Sequence, residues 1–163
     1  MKKFIHAAVL MLLLMSMISF SSSQLKIEGK GEEFHRALQL EFVHAADHAK
    51  AIEEQVSLPR AMSMEITRRH MEEIGHSLEN ARVLHSMVHK TFSDQDAAAV
   101  KENHNGLYDA HTKALDAFQQ LKVEIVKKEM DASRVQGLAN TIYRQTDKAA
   151  AEHRDGMKKL GVE

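Results

Sequence analysis

The sequence predicts an all-α protein, an antiparallel up-down-up-down four-helix bundle preceded by a signal peptide. Three observations carry this. Ala, Leu, Glu, Lys, Gln and Arg dominate the chain, and all favour helix. Apolar residues recur at three- and four-residue spacing along four long stretches. Pro59 is the only proline, and alternating runs of β-branched residues are missing.

Residues 1–23 read as a secretory leader. Lys2 and Lys3 give a basic start, Phe4 to Phe20 is almost wholly apolar, and Ser19 to Ser23 offers small residues to a peptidase. Cleavage after Ser21 or Ser23 fits the small-x-small pattern. An uncleaved anchor is the alternative, but the apolar run is short for a span. The expected location is therefore periplasmic or secreted, with no membrane contact after cleavage. Residues 24–31 form a polar lead-in, and residues 32–160 form the bundle.

Helix by helix, the first covers about 32–57, with Phe34, Leu38, Phe42, Ala45, Ala49, Ile52 and Val56 along one stripe. Ser57-Leu58-Pro59 ends it and opens the second, since proline in a first turn sacrifices no helical hydrogen bond. The second helix runs to about Lys90, with Thr67, Ile74, Leu78, Ala81 and Val88 inward. Ser93 is a natural N-cap for the third, and Asp94 and Asp96 complement its dipole. This helix should continue to about Lys128, with Val100, Leu107, Leu115, Phe118 and Ile125 inward. Asn103-His104-Asn105-Gly106 is a potential break. However, Val100, His104, Leu107 and His111 keep one phase across it and predict continuity. Asp131 caps the fourth helix, with Val135, Leu138, Ile142, Ala149 and Leu160 on its stripe.

Composition excludes several function classes. The chain has 22 Lys+Arg and 23 Asp+Glu. Without Lys2 and Lys3 the balance is mildly acidic, the signs are interspersed, and nucleic-acid binding is not expected. Cysteine is absent. Disulfides, covalent c-type haem and thiolate metal sites are therefore ruled out. Any metal must be held by His, carboxylate, Met or water. No Ser-His-Asp order or Gly-rich phosphate loop supports a hydrolase or a nucleotide-binding protein.

The histidines stand out. Of 11 in the chain, His48, His70, His85, His104, His111 and His153 fall close to the apolar stripes, and Glu41 joins them on the first. Imidazole is an expensive way to fill a core unless something satisfies its polar atoms. Folding the helices at their expected turns gathers these residues into two layers. One holds His48, His70 and His111; the other holds Glu41, His104 and His153, with Ser77 and Tyr108 nearby. Three imidazoles from three helices suit Zn, Cu or Ni, and Glu41 could supply a harder ligand. Glu152, Gln145 or Ser77 could accept the remaining ring N–H groups.

The leading expectation is thus an exported bundle that binds a transition metal ion through His48, His70, His111, His104 and His153 with Glu41. Its role would be sequestration or storage, not catalysis. The rival is a metal-free interaction or stress-protective bundle with structural histidines. A third reading is a non-covalent haem b held by His111 with His48 or His70. Glu-x-x-His spacing occurs at Glu32/His35, Glu41/His44 and Glu73/His76, but His76 and His44 point off their stripes, which disfavours a di-iron oxidase. The i, i+4 pairs His85/His89 and His44/His48 read as adventitious surface sites. Met62, Met64 and Met71 read as core filler.

Overall fold

The computed structural model describes residues 31–55 and 64–162. The expected leader, most of the lead-in and the Pro59 turn lie outside the described residues. Within them the protein is all-helical: α1 over 31–55, α2 Met64–His89, α3 Asp94–Ala99, α4 Lys101–Ile125 and α5 Ala132–Lys159. No strand is present among the described residues.

The caps follow their chemistry. The Ser93 hydroxyl accepts from the Asp96 N–H, and the Asp96 carboxylate accepts in return from the Ser93 N–H, a reciprocal capping box. Asp131 starts α5 by accepting from the Arg134 N–H. Lys158 and Lys159 occupy the last turn of α5, where cations complement the dipole.

The third predicted helix is interrupted, though not at Asn103–Gly106, which is helical throughout. The interruption falls at Val100, which ends α3 and precedes α4 with φ −105° and ψ 9°. Val100 is buried, so its side chain plugs the core at the bend. The short α3, none of whose residues is buried, belongs with the connection.

Cross-helix contacts fix how the long helices run. Glu41 and His48 of α1 meet Asn80 and His70 of α2. Leu78 and His85 of α2 meet His111 and His104 of α4. His35 and Glu53 of α1 meet His153 and Asn140 of α5. Each pair is antiparallel. Two buried clusters lie between them, each drawing on α1, α2, α4 and α5. One includes Ile52, Ile74, Leu78, Phe118, Leu121, Ile125, Val135 and Ile142. The other includes Leu38, Phe42, Ala81, Val88, Leu107, Ala110, Ala149 and Ala150, with Phe34, Leu84 and Phe92 against it. Of the predicted stripe residues within the described segments, Phe34, Leu115, Leu138 and Leu160 are only half-buried and the rest are buried.

The α4–α5 connection is pinned by a carboxylate. Glu124 is buried, and accepts from the Asp131 N–H at 3.2 Å, Lys127 Nζ at 2.6 Å and Arg134 Nε at 3.2 Å. Those bonds, the Lys127 one foremost, hold its carboxyl below the usual range.

Two helical glycines make opposite predictions. A Cβ at Gly75 would meet Phe118 Cζ at 2.9 Å, whereas one at Gly137 would meet nothing within 4 Å. Gly75→Ala should lower stability, since overpacking costs roughly 1–3 kcal/mol against about 1 kcal/mol gained in helix propensity. Gly137→Ala should raise it by about 0.5–1 kcal/mol. Urea titrations of the two variants measure both signs.

Candidate metal centre

The last turns of α2 carry His85 and His89, one helical turn apart and therefore on one face. Across the seam, the first turn of α4 carries His104. Its Nδ1 lies 3.0 Å from His85 Nε2 and 2.9 Å from His89 Nε2. Each of the three rings offers a nitrogen within 4.8 Å of the other two. Two nitrogens sharing an ion at about 2.1 Å sit roughly 3.0 Å apart at a right angle and roughly 3.4 Å apart in a tetrahedron. His85 and His89 each already stand at that separation from His104.

The convergence is tighter than one pair of hydrogen bonds needs: His89 Nε2 lies 2.9 Å from His104 Nε2 as well as from Nδ1. A ring nitrogen has one in-plane position, filled by either a proton or a lone pair. His104 Nδ1 can therefore bond one of the two Nε2 atoms that approach it, while His104 Nε2 is within reach of His89. A shared cation could instead take one lone pair from each of the three rings.

Further histidines continue the cluster. His153 lines the same small cavity as His85, His89 and His104, along with Val88, Phe92, Leu107 and Met157. His35 stacks on His153 with ring centroids 5.1 Å apart and on Phe92 at 5.7 Å. His35 Nδ1 is 3.4 Å from His153 Nε2, which also lies 3.2 Å from the His35 carbonyl. Five of the ten histidines among the described residues thus collect at one end of the helices, where α1 and α4 begin and α2 and α5 finish.

Burial favours the neutral form of His35, His85, His104 and His153. It pushes His85 down to about 4, aided by His104 and His89. It pushes His153 down to about 4 against the opposing bond to the His35 carbonyl. His35 falls to about 4 through burial and then the proximity of His153. His104 is lowered by burial and by His89. A neutral imidazole is the form that ligates metal, so protons compete weakly for the nitrogens of His85 and His104.

The six residues expected from the sequence to hold metal do not share one place. His48 and His70 pair with each other, Nδ1 to Nδ1 at 2.9 Å. His111 is buried, donates from Nε2 to the Leu78 carbonyl at 3.0 Å, and meets Phe42 edge-on at 5.5 Å. Glu41 accepts from Asn80 Nδ2 at 3.1 Å. His153 is beside His35, and His104 is in the triad. The expected meeting of His48 with His70 occurs, but His111 does not join them, and among the described residues the one close group of three ligands is His85, His89 and His104. The haem reading gains nothing either, because His48 and His70 contact each other and His111 is committed to a carbonyl.

The pairing of α2 with α4 explains the difference. Predicted with an unbroken third helix, the register puts His111 level with Ile74. The observed contacts put it level with Leu78, one turn along. The break at Val100 assigns α3 to the connection, so α4 slides by that turn and His104 arrives at His85 and His89. The i, i+4 spacing of His85 and His89 was the available signal. What it lacked was a partner at the correct level.

Protonation of the buried rings should unfold the metal-free protein. An unfolded histidine titrates near 6.5, whereas His35, His85 and His153 titrate at about 4 in the fold. Between those values the unfolded chain binds more protons, so stability falls as the pH drops below about 6.5 and is indifferent to pH above about 7.5. With chelator present, the melting temperature should fall by roughly 10 °C or more from pH 7.5 to 5. A flat profile in circular dichroism melts would contradict neutral buried imidazoles.

No family model, curated protein or solved structure matches this chain, so its functional reading rests on the histidines themselves.

Proposed function

We propose that this chain is an exported, antiparallel up-down-up-down four-helix bundle that binds a transition metal ion of the Zn, Cu or Ni class through His85, His89 and His104. Its role is sequestration or storage, not catalysis. The single observation that carries the reading is the approach of two Nε2 atoms, from His85 and His89, to one His104 Nδ1 within 3.0 Å. The antiparallel contacts among α1, α2, α4 and α5 support the bundle, and the basic-apolar-small order of residues 1–23 supports export. The donor set is nitrogen, which favours Zn²⁺, Cu²⁺ or Ni²⁺ over Mg²⁺ or Ca²⁺.

A metal-free bundle is the second reading. His111 favours it, since its bond to the Leu78 carbonyl and its edge contact with Phe42 satisfy a buried ring with no ion. Some histidines here are therefore structural whatever the triad does.

Metal-linked melting separates the two. An ion at 100 times its dissociation constant stabilises by about 2.7 kcal/mol, which should raise the melting temperature by roughly 5–10 °C. The rise with Zn²⁺, Cu²⁺ or Ni²⁺ should vanish in His89→Ala/His104→Ala and persist in His48→Ala/His70→Ala. Absence of a shift with all three ions would leave the metal-free bundle.

A further inference from the structure

The triad brings three neutral ligands, so a bound divalent ion would carry its full charge into a partly buried cavity. One carboxylate faces that cavity. Glu152 of α5 lines it together with His85, His89, His104 and His153, and is only half-exposed. Its Oε2 accepts from Asn103 Nδ2 at 3.1 Å, and Asn103 Oδ1 in turn accepts from Lys159 Nζ at 2.6 Å. Glu152 itself makes no ion pair among the described residues. Carboxylates withdrawn from water are normally paired or bound to metal, because their desolvation must be offset.

A glycine makes room for it. Gly106 lies within α4, two residues beyond His104, where glycine costs about 1 kcal/mol relative to alanine. A Cβ there would lie 2.7 Å from both Cδ and Oε1 of Glu152. The missing side chain is thus the slot in which this carboxylate rests against the helix that carries His104. Asn103, one residue before His104, holds the other oxygen. Two positions around a triad ligand are spent on seating one anion.

We propose that Glu152 is the carboxylate ligand of this centre, completing a three-nitrogen, one-oxygen set around the ion held by His85, His89 and His104. Glu152 is outside the close group of three in the metal-free arrangement. Binding therefore requires its carboxylate to swing toward the triad on a stem that stays in the Gly106 slot, where Cγ lies 3.1 Å from the position of a Cβ. Its charge reduces the net charge of the loaded site from two to one. This inference rests on the triad reading above.

Co²⁺ titration followed by visible absorption tests it on the full chain, using wild type, Glu152→Gln, Gly106→Ala and His89→Ala/His104→Ala. Wild type should bind one ion with the intense visible bands of a low-coordinate cobalt site. Glu152→Gln should still bind through its histidines, at least roughly tenfold more weakly and with altered bands. Gly106→Ala keeps the carboxylate but pushes it from its seat. Its metal-free melting temperature should hold or rise while its Co²⁺ affinity falls, a divergence that damage to the fold cannot produce. Should Glu152→Gln fail to fold, Gly106→Ala alone decides the matter. Wild-type affinity and bands in the folded variants would overturn the Glu152 assignment and leave the triad standing. Weaker binding with unchanged bands would also overturn it as a ligand. Loss of all Co²⁺ binding in wild type would overturn the triad reading and this inference together.

Discussion

The register of α4 along α2 is the constraint on which the histidine chemistry depends. One buried contact helps to fix it, the donation from His111 Nε2 to the Leu78 carbonyl. A mid-helix carbonyl already accepts from its own helix, and its second lone pair is free for such a bond. Sliding α4 by a single turn would strand that buried N–H, at a cost of about 1–3 kcal/mol, and would part His104 from His85 and His89. A structural histidine thus sets the level at which three others converge. Val100 acts from the other side: it stops the helix, plugs the core, and leaves α4 free to begin at the level this bond demands.

The same packing determines protonation. His35, His85, His104, His111 and His153 are all lowered chiefly by burial, with neighbouring imidazoles adding to the effect at His35, His85 and His104. A cluster of this kind cannot hold several protons at once, because each cation would face another at van der Waals distance in a poorly solvated space. One divalent ion shared by three rings is a different matter. It would present one charge centre and accept three lone pairs. Packing that penalises protons therefore leaves the nitrogens open to metal.

Much of the fold was legible in the sequence because it is written in local signals. Stripe periodicity predicted the apolar faces, and the serine and aspartate caps at Ser93 and Asp131 predicted helix starts. The continuity of α4 through Asn103–Gly106 followed from an unbroken phase. The break at Val100 did not, since valine carries no turn chemistry and the bend is stabilised by its tertiary burial. The site was legible in kind and not in membership. Histidines near the core faces pointed to imidazole ligation, yet which ones meet depends on levels, and levels shift by a whole turn when a short helix joins a connection. His35 was missed because it lies at the edge of the α1 stripe, and only the approach of His153 and Phe92 gives it a role.

Where the triad sits bears on what it can do. His89 is exposed, while His85 and His104 are half-buried. An ion can reach the outer nitrogen before the inner two close on it, without opening the core. Two ligands one turn apart on α2 are held in place by a single helix, so little entropy is lost in aligning them. The third ligand comes from α4, so an ion held by the triad would cross-link two helices that otherwise meet through side-chain packing and the His111 bond. A centre built this way couples occupancy to the closure of one end of the molecule. Because His89 is solvent-accessible, an ion held there would stay open to exchange.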